Sequence, residues 1–253
     1  MSLVEGMRAA GKLAAKTLTY VTSFVKAGVT TLELDKIAYD FITANGGIPA
    51  PLNYKGFPNS ICTSVNETVC HGIPNNVPLK NGDYINVDVT VILNGYHGDT
   101  SISMRVGMPD DALIEAARKA TMAGIKAIVP GATLGDIGFA INKSATRSGF
   151  YATPSIGGHG INTIFHDEPF VFSYGKKGRG DKLIPGTCIT VEPLIFQRNE
   201  EIQSFPISNS EIEVYKANGS MSAQFEHTVL ITDKGYEVLT LASPEGFDPS
   251  SAV

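Results

Sequence analysis

The sequence predicts an α+β fold in which helices cover one face of an antiparallel or mixed sheet. Three observations predict it: paired amphipathic helical segments, a strand hairpin that separates the two pairs, and further strands towards the end of the chain. Single helices rarely separate these strands, which disfavours a doubly wound parallel sheet. No linker rich in proline, glycine or serine divides the 253 residues, so one domain covering residues 1–253 is predicted.

Two helical segments open the chain. Apolar residues recur at helical spacing from Met7 to Val21 and predict the first helix. The second helix is predicted over residues 30–42 and is followed by an Asn-Gly-Gly turn. Thr30 and Glu33 form a Thr-x-x-Glu capping box, which satisfies free backbone N–H groups where that helix begins.

A second pair of helical segments follows the strand hairpin. Residues 112–129 and 133–148 carry a similar apolar spacing. A shift of 103 positions superposes turn and cap residues of the two pairs: Gly28 on Gly131, Thr30 on Thr133, Glu33 on Asp136, Leu34 on Ile137 and Gly46 on Gly149. Such residues also recur in unrelated helical hairpins, so duplication and coincidence are both open. A true repeat predicts two similar halves and a site where they meet.

An alternating pattern predicts a strand hairpin over residues 84–106. Its valines alternate with polar residues, and Asn94-Gly95 is the commonest kind of two-residue hairpin turn. This turn places Thr90 opposite Asp99, and it makes Asp88 and Asp99 diagonal neighbours on one face, about 7–8 Å apart at the backbone. Later strands are predicted over residues 188–195, 225–232 and 236–241.

The two aspartates of this hairpin allow two interpretations. Like charges so close repel each other in a half-buried sheet, unless a cation lies between them or one carboxyl holds a proton. A pair of metal ions would suit both carboxylates. Alternatively, the valine face is the core face and the aspartates are solvated on a wet face. His97 shares the aspartate face, and its position beside the turn predicts exposure to solvent.

Composition excludes several classes of protein. Hydrophobic residues make up 43% of the chain and charged residues 18%, as in globular domains. The net charge of −5 predicts no binding to nucleic acid or to anionic membranes. No run of apolar residues is long enough to span a membrane. Three cysteines without CxxC spacing make a disulfide framework improbable and favour a reducing, cytoplasmic location.

Five further residues are candidates for chemistry. His71, His159 and His166 stand in predicted loops, two of them beside glycine, although each could be structural. Glu192 and Glu226 interrupt apolar strands, and each needs a partner unless it points to water from an edge strand. Four carboxylates and one imidazole together would suit Mn, Fe(II), Co or Zn at a hydrolytic centre with two metal ions.

Ordered motifs along nearly the whole chain resemble those of the methionine aminopeptidases. The matching segments are Thr-Ser-Val-Asn-Glu at 63–67 and Cys-His-Gly-Ile-Pro at 70–74, Asn-Val-Asp-Val-Thr at 86–90, His-Gly-Asp-Thr-Ser at 97–101, Gly-His-Gly-Ile at 158–161, Phe-His at 165–166, Thr-Val-Glu-Pro at 190–193 and Ser-Ala-Gln-Phe-Glu-His-Thr at 222–228. Only 26 positions separate His166 from Glu192, which leaves no space for the helical insertion of type II enzymes. The chain therefore resembles type I.

The resemblance implies the pita-bread fold, with two pseudo-symmetric halves and a curved, mostly antiparallel sheet covered by helices. It also implies a centre with two divalent metal ions, in which Asp99 and Glu226 bridge the metals. The implied ligands are Asp88, Asp99, His159, Glu192 and Glu226. The implied protein is a cytoplasmic monomer acting on nascent chains at the ribosome.

The implied reaction is removal of the initiator methionine from nascent proteins and peptides with a small second residue. A hydroxide that bridges the metals attacks the peptide carbonyl, and Glu192 accepts and delivers the proton. His166 would hold the oxyanion, and His71 would contact the nitrogen of the leaving amine. The methionine pocket would be formed by four matching residues: Tyr54, Phe57, Cys62 and Phe165.

The chain departs from the family pattern at three places. Asn162-Thr163-Ile164 precedes Phe-His, Asp167 replaces the usual glutamate, and Ile212 stands about where bacterial enzymes carry a tryptophan. None of these changes removes a ligand, so altered specificity or rate is expected.

Two other functions are open. A proline-specific aminopeptidase or dipeptidase has the same fold. A pita-bread protein without catalysis, which binds ribosomes or nucleic acid, is disfavoured because all ligand positions are filled and because the acidic chain ends in a tail, 243–253, without basic residues.

Overall fold

The computed structural model describes residues 2–241. Met1 and residues 242–253 lie outside the described residues, and with them the two ends of the predicted domain and the tail whose charge was considered above. Within the described part, no helix is both long and apolar enough to cross a membrane.

Four helices form at the predicted places. They are α1 (Leu3–Thr22), α2 (Thr31–Ala44), α3 (Ala112–Lys126) and α4 (Leu134–Arg147). The third helix was predicted to reach residue 129 but ends three residues earlier. The physical reason is Pro130, which disfavours helical backbone at the residue before it. Ala127 and Ile128 therefore bond to carbonyls only three residues back and close the helix with a tight turn.

The two helix pairs are related as the repeat predicts. The carboxylates of Glu33 and Asp136 accept hydrogen bonds from the backbone N–H groups of Thr30 and Thr133, at 2.7 and 2.9 Å. Equivalent backbone bonds also anchor the preceding turns: the Leu79 N–H donates to the Val29 carbonyl and the Leu183 N–H to the Ala132 carbonyl. Val29 and Ala132 are again 103 positions apart. Two similar halves are therefore confirmed.

Fifteen strands complete the described part of the chain. They are β1 (Ile48–Pro49), β2 (Cys62–Val65), β3 (Thr68–Cys70), β4 (Tyr84–Leu93), β5 (Tyr96–Arg105), β6 (Tyr151–Ala152), β7 (Gly158–Gly160), β8 (Asp167–Val171), β9 (Cys188–Val191), β10 (Leu194–Phe196), β11 (Gln203–Pro206), β12 (Glu213–Lys216), β13 (Ser222–Gln224), β14 (Glu226–Thr232) and β15 (Gly235–Val238). A short 3₁₀ turn covers Tyr54–Gly56.

The described strands pair only antiparallel, as predicted. A nine-stranded sheet has the order β1-β4-β5-β14-β9-β7-β8, with β2 on β4 and β15 on β14. Two three-stranded sheets, β13-β10-β6 and β11-β12-β3, flank it. The predicted strand at 188–195 is divided into β9 and β10 because Pro193 has no N–H group for a sheet ladder.

Each half has its own core beneath its helices. In the first half, Val87 and Val91 of β4 pack with residues of α1 and α2. In the second, Val191 of β9 and Val229 of β14 pack with residues of α3 and α4. The helices therefore cover one face of the sheet, and the residues that alternate with these valines point to the other face.

Candidate metal centre

Five neighbouring strands of the large sheet position the five predicted metal ligands, four on the strands themselves and one directly after its strand. In the order of the sheet, Asp88 lies on β4, Asp99 on β5, Glu226 on β14, Glu192 directly after β9 and His159 on β7. The hairpin register is the predicted one, with Thr90 opposite Asp99 and Asp88 opposite Ser101. Antiparallel pairing brings these side chains together although up to 138 positions separate them.

The distances identify a compact cluster. Asp99, His159 and Glu226 each offer a ligand atom within 4.8 Å of the other two. His159 Nε2 lies 3.5 Å from a Glu192 oxygen and 3.7 Å from an Asp99 oxygen. These groups could therefore share one cation or a pair of cations.

The orientation of the His159 ring is the most informative feature of the cluster. Its Nδ1 lies 2.9 Å from the Gly160 carbonyl oxygen, which can only accept a hydrogen bond. Nδ1 therefore carries the proton, and Nε2 of the neutral ring presents its lone pair to the carboxylates. Burial lowers the pKa of His159 to about 4, which keeps the ring neutral. A lone pair that faces carboxylate oxygens is repelled unless a cation or a carboxyl proton lies between them.

The burial of the acids also distinguishes between their two interpretations, a metal centre and a solvated face. Asp99 and Glu226 are only 4% and 3% exposed. Burial raises the pKa of Asp99 to about 7, and burial together with the charge of Asp99 raises that of Glu192 to about 8. The same causes raise the pKa values of Asp88 and Glu226 well above their usual range. A wet aspartate face and edge-strand glutamates were therefore wrong alternatives.

The donor set fits divalent metal ions. Among the described residues, no lysine or arginine lines the cavity that holds the acids. One Asp88 oxygen is buried without a hydrogen-bond partner. Buried charge of one sign and an unpaired buried acceptor are both costly without a cation. Carboxylates with one imidazole suit Mn, Fe(II), Co or Zn.

Neighbouring polar side chains hold the acids in place. Thr90 donates to Asp99 at 2.7 Å, and Thr190 donates to one Glu192 oxygen at 2.7 Å. Gln224 donates to the other Glu192 oxygen at 3.1 Å. Sequence reasoning assigned no role to these three residues. Thr190 lies two positions before Glu192 and shares its face, which is the period-two signal that could have found it.

A cavity of about 520 Å³ opens onto the acids. Every residue that the sequence proposed for the site lines it: the five metal ligands, His71 and His166, and Tyr54, Phe57, Cys62 and Phe165. Ile212 also lines this cavity, at the position where a tryptophan was expected in relatives. Sequence reasoning missed Tyr215, Cys70 and Phe170 in its wall.

One end of the cavity is apolar. Phe57 and Cys62 belong to a small buried cluster against which Ile212 packs. The rings of Tyr54 and Phe165 lie 4.9 Å apart between centroids. Such a surface of aromatic rings and sulfur suits a flexible apolar side chain.

Two histidines, which we call the border histidines, line the same cavity as the acids and the apolar residues. His71 Nδ1 donates to the Glu213 carbonyl at 3.0 Å, and burial lowers the pKa of its ring. His166 Nδ1 lies 3.0 Å from the Tyr54 hydroxyl, and its ring is 4.4 Å from that of His159. Burial, with the neighbouring histidines, lowers the pKa of His166 to about 3. Both rings are neutral near pH 7.

His97 does not face solvent, so that prediction was wrong. The ring is 7% exposed, its Nδ1 donates to the Asn162 carbonyl at 3.0 Å, and it stacks on Phe165 at 5.5 Å. The physical reason is that the Asn162 turn, distant in sequence, covers it. Asn162 also bonds to Ile164 N–H and to Asp167, so two of the three departures from the family pattern form the turn that contains Phe165.

Comparison with known proteins identifies the family of this chain. Residues 5–233 match metallopeptidase family M24. The methionine aminopeptidase of Rickettsia prowazekii is 48% identical over 96% of this chain and 93% of its own.

Solved structures resemble the chain as well. The crystal structure of a methionine aminopeptidase from Rickettsia prowazekii, 49% identical, covers 93% of this chain and 95% of its own with a TM-score of 0.89. A prolidase from Pyrococcus furiosus shares the fold at 19% identity, with a TM-score of 0.75 over 95% of this chain and 64% of its own. The predicted pita-bread fold is confirmed.

Proposed function

The chain belongs to metallopeptidase family M24, and from this membership we propose that it is a type I methionine aminopeptidase. It hydrolyses the bond after the N-terminal methionine of nascent proteins and peptides with a small second residue. Similarity to a relative of that name along nearly the whole chain supports the proposal. The structural observation that carries it is the lone pair of His159, which faces Asp99 and Glu192 across 3.5–3.7 Å.

Divalent metal ions are the cofactor, and two ions for each chain suit four carboxylates and an imidazole. The residues that would hold them are Asp88, Asp99, His159, Glu192 and Glu226. When bound, such ions polarise a carbonyl and lower the pKa of water, so that hydroxide is available near neutral pH. Cobalt, manganese, iron(II) and zinc are all compatible with this donor set.

The apolar end of the cavity binds the first side chain of the substrate. The thioether of methionine would contact the rings of Tyr54 and Phe165 and the thiol of Cys62. Phe57 closes the end of this pocket and is itself buried. The free N-terminal amine of the substrate would lie near Asp88 and Asp99, beside the pocket, which orients the first peptide bond towards the acids.

Glu192 carries the proton between water and the leaving group. Thr190 and Gln224 hold its two oxygens, at 2.7 and 3.1 Å, so the carboxylate is positioned before the substrate binds. It accepts a proton from the attacking water and delivers it to the peptide nitrogen, which leaves as the new N-terminal amine.

The two border histidines have complementary roles. Because His71 Nδ1 donates to a carbonyl, Nε2 of its neutral ring accepts a hydrogen bond, which suits the N–H of the scissile peptide bond. His166 Nδ1 can accept from the Tyr54 hydroxyl, and its Nε2–H then donates to the oxyanion that forms during attack.

The cellular setting is part of the proposal. We expect a monomer in the cytoplasm that acts on nascent chains at the ribosome. All three cysteines are buried with free thiols, which suits a reducing compartment.

The test is a peptide panel with defined metals. Metal-free protein is reconstituted in turn with Mn, Co, Fe(II) and Zn, and release of methionine from Met-Ala-Ser is compared with cleavage of X-Pro peptides. Release of methionine is expected, whereas cleavage of X-Pro peptides alone would favour the proline-specific alternative. Metal analysis that finds less than one ion for each reconstituted chain would favour a binding protein without catalysis.

A further inference from the structure

A row of exposed aromatic side chains leaves the mouth of the cavity. Phe170, Phe172 and Tyr174 are 38%, 42% and 48% exposed, while Val171 and Ser173 between them are buried. Exposure therefore alternates with a period of two, as expected for extended backbone. We call Phe170, Phe172 and Tyr174 the aromatic ladder.

The ladder is a preformed surface. Its rings contact one another in sequence, with centroids 4.6 Å apart between Phe170 and Phe172 and 5.2 Å apart between Phe172 and Tyr174. The backbone beneath is anchored on α4: a Cβ atom built on Gly138 would lie only 2.1 Å from the Tyr174 carbonyl oxygen. A rigid row of rings loses little entropy when a ligand binds to it.

The ladder is continuous with the cavity. Phe170 belongs to both, and Glu168, two positions earlier, also lines the cavity. Strand β8, which carries both residues, is the last strand of the large sheet and pairs with β7, the strand of His159. The row of rings therefore begins beside the candidate metal centre and leads away from it.

We propose that the aromatic ladder binds the extended segment of the substrate that follows its first three residues. This inference rests on the proposed function. When the N-terminus of the substrate occupies the cavity, the rest of the substrate chain must leave through the mouth of the cavity. Residues two apart in an extended peptide are spaced about 6.6–7 Å apart, whereas the ring centroids of the ladder lie closer together, at 4.6 and 5.2 Å. Apolar side chains at alternate positions of an extended substrate would thus fall along the row of rings. Exposed apolar patches of this kind are typical of binding surfaces.

Three substrates test the proposal on the wild-type enzyme. The first is Met-Ala-Ser, and the other two are nonapeptides that extend it with Leu and Ser in alternation or with Gly and Ser in alternation. We expect kcat/KM for the leucine peptide to exceed that of the other two by about tenfold, mainly through KM, as for a buried apolar contact of moderate strength. Equal kcat/KM values for all three would overturn the ladder proposal and leave the proposed function standing. Release of methionine from none would overturn both.

A pair of variants locates the effect. The double variant Phe172→Ser with Tyr174→Ser should remove the advantage of the leucine peptide in kcat/KM. It should leave kcat/KM for Met-Ala-Ser unchanged. Tyr151→Ser is the matched control, since Tyr151 is 49% exposed and does not line the cavity. If the double variant keeps the advantage, the ladder is not the binding surface. If the double variant loses activity on Met-Ala-Ser, the single variant Phe172→Ser replaces it. An undiminished advantage of the leucine peptide in that variant would equally overturn the proposal.

Discussion

The two halves of the molecule share one frame but supply different chemistry. Both begin with a pair of helices and the same glycine turn, at Gly28 with φ 91° and at Gly131 with φ 80°. The first half then supplies Asp88 and Asp99 on one regular hairpin of two ten-residue strands. The second supplies its glutamates and histidine on three separate strands. A local turn therefore positions the ligands of the first half, whereas long-range packing positions those of the second.

The close packing of the second half depends on glycine. A Cβ atom on Gly158 would lie 2.2 Å from the Thr190 carbonyl oxygen, and one on Gly160 would lie 2.1 Å from that of Glu168. Strand β7 thus enters between β8 and β9 only because it has no side chains at these positions. His159 lies between the two glycines, so its place in the centre depends directly on them.

The largest expected effect comes from removing one ligand from either half. Asp99→Asn and Glu226→Gln should each lower activity on Met-Ala-Ser by more than about 100-fold, since changes outside the ligand shell already cost 10–100-fold. Metal content and kcat/KM are the measurements. If one substitution were harmless, a single half would suffice for the centre, and the shared site would be contradicted.

The next largest effect should be a difference in the free energy of unfolding between glycine substitutions in the two halves. Gly158→Ala should lower the free energy of unfolding by about 1–3 kcal/mol, because its Cβ atom would meet backbone that cannot move freely. Gly28→Ala is the control, since a Cβ atom there has no neighbour within 4 Å and only its positive φ opposes the change. Urea denaturation measures both. An equal or smaller loss for Gly158→Ala would show that β7 is not tightly packed.

A smaller effect is expected from the threonine hydroxyls that donate hydrogen bonds to the acids in each half. Thr90→Val and Thr190→Val each remove one hydroxyl that bonds to a ligand, at Asp99 and at Glu192. Each should lower metal affinity or activity by about 10- to 100-fold. Metal titration monitored by activity measures the effect, and unchanged titrations would mean that these hydroxyls do not orient the acids. Thr43→Val is a suitable control, as its hydroxyl bonds only within α2.

The smallest effect tests whether the helix caps of the two helix pairs contribute equally to stability. Thr30→Ala and Thr133→Ala should each destabilise the protein by about 1 kcal/mol through loss of a helix cap. Activity at low temperature should stay unchanged in both. If urea denaturation gave clearly unequal losses of unfolding free energy, the two helix caps would differ in their contribution to stability although they repeat in structure.

Several parts of the fold could be predicted because local rules govern them. Capping residues predicted where α2 and α4 begin, and the Asn94-Gly95 turn predicted every pair in the β4/β5 register. The local effect of proline was overlooked at 127–129, where Pro130 ends α3 early, and at 193, where Pro193 divides a predicted strand. The burial of His97 was missed because its cover, the turn at Asn162, is remote in the sequence.

The sequence by itself determined the helices, the hairpin register and, through the resemblance of its motifs, which residues are the candidate ligands. Only the tertiary structure decided that these residues come from five adjacent strands and that the His159 lone pair points at Asp99 and Glu192. The physical reason is the distance along the sequence over which each interaction acts. A turn sets the register between neighbouring segments, but the order of strands in a sheet depends on core packing and on contacts between glycines and backbone far apart in the chain.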